Sequence, residues 1–351
     1  MPKKVFIGFN NIANVGLSLQ SGFKEIGVAA DFYSTEKIMH KYDYSGDSSG
    51  KVNRIIYSNN SLFRYLQVIV LFVKLIFIYD YFIFLEAGSL LSNSRDIKLL
   101  KKLGKKVSVI FAGCDVRVPD IVMKYRWNPC RDCPETYQAL VSCKFPDKYQ
   151  RLKGIKQNYD IIFSPDECSG YFNDKYYSYY FPVKDIGGSK LVHSETKLNE
   201  GIIRIIHAPS NEDYKGSKYI YAAIESLKKT YQVEFITLQN LTKEELIAEI
   251  LKCDLLIDQM LVGFYGILSV EAMLLQKPVV CYIRDDIYCK IESDCPIYNA
   301  NPDNLEIVLD NILQNPSQLI SRGEHSRSYA IRYHSPNKIA ERMIQVFQEE
   351  K

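Results

Sequence analysis

Between Gly263 and Val280 the chain reads GFYGILSVEAMLLQKPVV, a glycine-punctuated turn running into an apolar helix and then a strand, with a single carboxylate, Glu271, inside the oily part. A lone acid in such a setting costs several kcal/mol unless it is paired or meets a ligand. Gly263 and Gly266 allow a tight turn ahead of the helix. Backbone N–H groups of Tyr265, Gly266, Ile267 and Leu268 can then point at an anion such as a diphosphate, helped by the helix dipole. Lys215, in the YKG stretch after an earlier strand, would add a point charge to the same phosphates, and Gly216 permits close approach. An exposed loop lysine and a Glu271 paired with a nearby lysine are the alternatives.

These residues need strands and helices to carry them, and the chain supplies both in alternation. Its first half reads as strand 4–9, helix 15–26, strands 28–33 and 54–57, helix 62–79, strand 81–85, helix 94–103 and strand 106–111. A helix near 147–157 and a strand over 160–164 follow an irregular Cys-bearing stretch. The polar stretch 184–201 has no period and marks a boundary. Then the rhythm restarts, with strands 202–208, 232–238, 254–258 and 278–283 alternating with helices 217–230, 242–252 and 266–275. From Asp303 the chain is mostly helical. The expectation is α/β, two doubly wound parallel sheets with ligand bound at the carboxyl ends of the strands. The domains are expected over 1–185 and 186–335, with helix 336–351 crossing back to the first.

A chain of 351 residues is long for one core and comfortable for two. Its 47% hydrophobic and 24% charged content fits a soluble globular enzyme and excludes a disordered or collagen-like chain. Residues 1–186 carry 26 Lys plus Arg against 18 Asp plus Glu, whereas the remainder carries 18 against 23. The basic half suits an anionic partner such as a lipid headgroup or diphosphate, or is merely a solvated face. Neither lysine run, 98–106 or 144–156, is dense or aromatic enough to imply nucleic acid.

The opening MPKKVFIGFN lacks the apolar region of a secretory signal, so the expected compartment is the cytoplasm. Residues 62–88 imitate a membrane span, but Lys74 and Asp80 interrupt it. Arg64, Gln67 and Lys74 recur at helical spacing, with Leu71 completing the stripe. That reads as a helix with a narrow wet face, a candidate for docking on a membrane or a partner helix.

HAPSNEDYKGSKYIYAAIESLKK, taken with CDLLIDQMLVGFYGILSVEAMLLQKPVVCYI, resembles the donor-binding domain of GT-B fold glycosyltransferases, especially the retaining family 4. FAGCDVR resembles a stretch found in polysaccharide-forming members. The resemblance implies an interdomain cleft, with a nucleotide sugar held by Lys215, Gly216 and the 263–268 turn. Glu271 would accept hydrogen bonds from a ribose diol. The acceptor would be a glycan or a polyprenyl-diphosphate-linked sugar, on the cytoplasmic side or on the inner membrane face. No metal or other cofactor is required for this chemistry.

Three positions depart from the family. Gly263 stands where its Glu-x7-Glu motif has the first acid, so a sugar contact would fall to backbone or to Asp258. No Arg precedes Lys215, Ser210 and Asn211 being the nearest polar residues, and Ala112 stands where many relatives have His. A catalytically silent nucleotide-sugar-binding partner therefore stays open, as does a same-fold epimerase.

Asp115 and Arg117, at a strand end, are candidates for acceptor contacts or else an ion pair holding their loop. His207, at the end of strand 202–208, is a catalytic candidate or a hydrogen-bonded structural residue. Cys130, Cys133 and Cys143, completed by Cys114 or Cys168, could hold a structural zinc or could be reduced, partly buried thiols. The turn 10–18 after the first strand carries a single glycine, Gly16, and is a weak phosphate signal.

Overall fold

The chain builds two parallel sheets, one from each half of the sequence. A computed structural model describes residues 4–10, 13–35, 52–86, 88–91, 94–140, 143, 152, 155–188 and 201–350. Most of the expected helix 147–157 and of the 184–201 boundary lies outside the described residues, as do two residues of the 10–18 turn; the described end of that helix forms a single helical turn, Ile155–Asn158.

In the first half, strands β1 (Val5–Phe9), β2 (Ala30–Ser34), β3 (Val52–Arg54), β4 (Tyr81–Leu85), β5 (Lys106–Ile110), β6 (Ile161–Ser164) and β7 (Tyr177–Ser178) pair in the order 3-2-1-4-5-6-7. In the second half, β8 (Ile203–His207), β9 (Val233–Thr237), β10 (Leu255–Ile257), β11 (Val279–Cys281) and β12 (Tyr298–Asn299) pair in the order 12-11-10-8-9. The order reverses between β1 and β4 and again between β8 and β10, the crevices where doubly wound sheets bind ligands.

Both faces of the first sheet are covered, which is why its strands are continuously apolar. Alternate residues of β4 go to opposite cores. Ile83 and Leu85 pack with helix α1 (Val15–Glu25), and Phe82 and Phe84 pack with α2 (Ser61–Ile78) and α3 (Arg95–Lys102). The expected strand 54–57 is displaced, since β3 is the short sheet edge and ends at Arg54, beyond which Ile56 is exposed.

The second sheet is flanked by α4 (Ser217–Leu227), α5 (Lys243–Lys252), α6 (Ile267–Leu274) and α7 (Leu305–Gln314). Thr242 and Glu245 form a capping box that sets the start of α5. The long helix α8 (Gln318–His334) ends where Ser335-Pro336 breaks the backbone, and α9 (Pro336–Glu349) crosses back onto the first sheet. Phe347 of α9 stacks on Tyr81 of β4 with ring centroids 4.7 Å apart. Gly22 of α1 meets the Pro336 backbone so closely that an added Cβ would sit 2.1 Å from its carbonyl oxygen. The second half is thereby strapped to the first by its own terminal helix.

Candidate functional site

Strands β8 and β10 run side by side, and the segments leaving their carboxyl ends carry the polar residues of the second half. After β8 the chain makes a short helical turn over Glu212–Lys215, its start capped by Asn211, whose side chain accepts from the Tyr214 N–H. Gly216 closes the turn at φ +78°, and a Cβ there would lie 2.8 Å from Leu261. Only glycine combines this left-handed backbone with so close an approach. The turn sends Lys215 across to the end of β10, where its Nζ donates to Asp258 Oδ1 at 2.8 Å and to Gln259 Oε1 at 2.5 Å.

Asp258 is 1% exposed. Its second oxygen accepts from Ser269 Oγ at 2.6 Å and from the Gly266 N–H at 3.2 Å, so it also caps the start of α6. Burial alone would raise this carboxyl, but the Lys215 ammonium and the converging hydrogen bonds outweigh it and hold the group below the usual carboxylate range. The expectation that Asp258 contacts a sugar is thereby corrected, because Lys215, Ser269 and Gly266 engage both its oxygens. Two of the three ammonium protons of Lys215 are likewise engaged, leaving one for a ligand.

The turn before α6 bends at Gly263, φ +85°, whose Cα faces the Arg284 side chain. Gln259 donates to the Phe264 carbonyl and fixes the turn from within. The Gly266 amide is taken by Asp258, which narrows the expected set of ligand-facing N–H groups. Glu271, one turn into α6, forms an ion pair with Lys243 at the start of α5, both side chains being about nine-tenths buried. Both readings of this acid therefore meet at one residue: it is paired within the fold, and it also lines a cavity.

That cavity, about 300 Å³, lies between the two halves. From the second half it is walled by Ser210, Tyr214, Lys215, Gln259, residues 264–268 and Glu271. The first half contributes Ala13, Ala112, Arg117, Tyr137, Pro165, Glu167 and Phe181. Polar groups converge in an otherwise apolar pocket, the usual build of a small-ligand site.

Asp115 and Arg117 part company here. Asp115 turns back on its own loop and accepts from the Ala112 and Gly113 amides at 3.1 and 2.8 Å. Arg117, 2% exposed, pairs with Glu167 at 2.7 Å and donates to the Tyr214 hydroxyl at 2.8 Å. The expected Asp115–Arg117 ion pair is corrected to Arg117–Glu167, and the guanidinium spans the two halves. Arg284 adds a second crossing, lying over the Tyr125 ring at 4.0 Å.

His207 is fully buried and does not line the cavity. Its Nδ1 lies 2.8 Å from the Ile257 carbonyl, which can only accept, so Nδ1 carries the proton and Nε2 accepts from Ser217 Oγ at 2.7 Å. Burial lowers its pKa to about 4. The ring therefore ties β8 to β10 and α4 as a neutral structural group, and the catalytic expectation for His207 is corrected.

The cysteines do not assemble a ligand set either. Among the described residues no three His, Cys, Asp or Glu side chains are grouped to hold a metal. All nine thiols are unbridged, and burial pushes Cys130 up to about 12 and Cys133 to about 11. The stretch that bears them instead meets the second half, through Lys218–Asp132 at 2.7 Å and Arg126–Asp303 at 2.7 Å.

Four site residues escaped the sequence reading: Tyr214, Gln259, Glu167 and Lys243. Tyr214 and Gln259 adjoin residues singled out at strand ends, and Glu167 follows β6 at the equivalent place, so position after a strand was the usable signal. Nothing local marks Lys243, which reaches Glu271 from another helix.

Together these sheets and the cleft between them make the GT-B fold, an arrangement shared with solved glycosyltransferase structures. The chain is similar over 99% of its length to all of HepE from Anabaena, solved in complex with UDP and glucose, with a TM-score of 0.62 at 11% identity. A glycosyltransferase from Rickettsia africae matches with a TM-score of 0.59 at 12% identity, over 99% of this chain and 98% of that one. TarM from S. aureus, solved with UDP, matches with a TM-score of 0.59 at 11% identity, over 98% and 99%. No family model and no curated protein matches the chain.

Proposed function

We propose that the protein is a glycosyltransferase that moves a sugar from a nucleotide donor to a glycan or a lipid-linked acceptor. The observation that carries this reading is the convergence, in one interdomain cavity at a switch point, of Lys215, the start of α6 and the Glu271 carboxylate. The complexes of HepE and TarM with UDP support a uridine nucleotide as the first donor to test.

In this reading the diphosphate lies at the start of α6, where the helix dipole and the remaining Lys215 proton meet its charge. Glu271 receives the ribose hydroxyls, and the ion pair with Lys243 holds the acid in place. As the glycosidic bond breaks, charge accumulates on the departing diphosphate, and these fixed donors stabilise it where it develops. The Arg117–Glu167 pair forms the wall toward the acceptor. Transfer with retention, a place in surface polysaccharide assembly and peripheral attachment on the cytoplasmic membrane face complete the proposal.

Calorimetric titration with UDP, GDP, ADP and their sugar conjugates tests it. One nucleotide series should bind, and Glu271→Ala should weaken it by at least about 1.5 kcal/mol, the loss expected of charged hydrogen bonds. A folded protein that binds none of them overturns the reading.

A further inference from the structure

Helix α2 shows water a surface that a soluble fold ordinarily hides. Val68, Phe72 and Leu75 are buried against the sheet. On the opposite side Leu62, Phe63, Leu66, Val70, Val73 and Phe77 are exposed, Phe77 by 84%. At 3.6 residues per turn these six fall within roughly 100° of arc, so they form one stripe along the helix rather than scattered contacts. The helix is thus apolar on both its inner and its outer side, and the wet face expected from Arg64, Gln67 and Lys74 occupies only a flank.

Helix α2 contains no acidic residue. Its neighbour α3 packs in the same core layer on the same face of the sheet. Arg95, Lys98 and Lys102 of α3 are exposed, while its one acid, Asp96, is buried and accepts from Ser89 Oγ and the Leu90 N–H. Among the described residues the acids beside this layer, Asp80 and Asp160, are paired with Lys105 and Lys101, which leaves Arg95, Lys98 and Lys102 as an excess of cations along the apolar stripe. Such a surface is complementary to an anionic bilayer, where the apolar groups enter the acyl boundary and the lysines meet the headgroups.

We infer that α2 is a lipid-docking helix that lies in the plane of an anionic membrane, with the lysines of α3 beside it at headgroup level. It docks rather than spans, although its length and mean hydropathy of 2.0 would allow a crossing. Its two ends lead directly into β3 and β4 of one sheet, and crossing would pull Val68, Phe72 and Leu75 out of the core. This surface is independent of the donor-site reading and needs no nucleotide.

The test is sedimentation of the purified full chain with phosphatidylcholine vesicles, with and without phosphatidylglycerol, in low and high salt. The protein should sediment with the phosphatidylglycerol vesicles and be released by salt. A Phe63→Ser, Val70→Ser, Phe77→Ser variant, altered only at exposed positions and shown to be folded by circular dichroism, should bind at least about tenfold more weakly. Lys98→Glu with Lys102→Glu should remove the preference for the anionic lipid. A folded protein that stays in the supernatant with both vesicle types overturns the inference. So does a concentration-dependent dimer that the serine variant dissolves while vesicle binding is absent, since the stripe then belongs to a second copy of the chain. Nucleotide titration of the serine variant should match the parent, which separates failure at this surface from failure at the donor site.

Discussion

Lys215 Nζ lies 2.8 Å from Asp258 Oδ1 across the crevice between β8 and β10. The carboxylate holds the lysine at the cavity wall and, through its other oxygen, closes the first turn of α6. One buried acid thus positions both anion-binding elements of the site. Removing the ammonium leaves Asp258 charged without its counter-ion, and Lys215→Met should cost about 3 to 5 kcal/mol in urea unfolding. Lowering the pH should narrow the difference from the parent, because protonating Asp258 removes the orphan charge. In a double-mutant cycle, adding Asp258→Asn should cost less in the Lys215→Met background than in the parent.

The buried histidines predict an acid limit to stability. Burial lowers His207 and His334 to about 4 from an ordinary value near 6.5. Each ring is held neutral, His334 between the Phe181 carbonyl at 3.0 Å and the Tyr265 hydroxyl at 3.1 Å. Between these pH values the unfolded chain binds more protons than the folded one, so stability is full above about 6.5 and falls as pH drops toward about 4. By pH 5 the loss should be about 2 kcal/mol per histidine. Unfolding midpoints measured from pH 7.5 to 4.5 check this, and a flat profile across that range would contradict it.

The expectations that held rest on local pattern. Apolar strands spaced by helical periods announced both sheets, Gly263 announced its turn and Gly216 the close approach it allows, because both are written in residue type. What was not legible depends on which distant side chains meet. Nothing near Arg117 tells it to choose Glu167 over Asp115, since that choice follows from how β6 lies beside β5. His207 stayed open between catalyst and structural group, because a strand end suits either, and only the neighbouring Ile257 carbonyl and Ser217 hydroxyl make it structural. The narrow wet face of α2 and its candidacy for docking were legible, but which apolar side meets the sheet and which meets water was not, because exposed and buried apolar residues look the same in sequence.

Tyr214 joins the halves through its hydroxyl, which accepts from Arg117. Tyr214→Phe keeps the ring that packs near Tyr137 and removes only that acceptor. The expected cost is about 1.5 to 3 kcal/mol, as for a hydrogen bond to a charged group, seen as an earlier unfolding midpoint in urea. Arg117→Met should cost more, about 3 to 5 kcal/mol, because it strands the Glu167 carboxylate, 5% exposed, without a cation.

Glu271 and Lys243 separate structural pairing from ligand binding, because only the acid lines the cavity. Lys243→Met leaves Glu271 buried and unpaired, and should destabilise the fold by about 3 kcal/mol. Adding Glu271→Leu should restore most of that stability, since an apolar pair can replace a buried ion pair of similar volume. Binding should follow a different order. Lys243→Met keeps the carboxylate and should retain measurable nucleotide affinity, whereas Glu271→Leu should lose at least about tenfold whether or not Lys243 is present. Titrating the three variants beside their unfolding curves decides the matter. If affinity tracks stability across the series, Glu271 serves the fold alone; if affinity follows Glu271 while stability follows the pair, the acid is a ligand group held ready by its lysine.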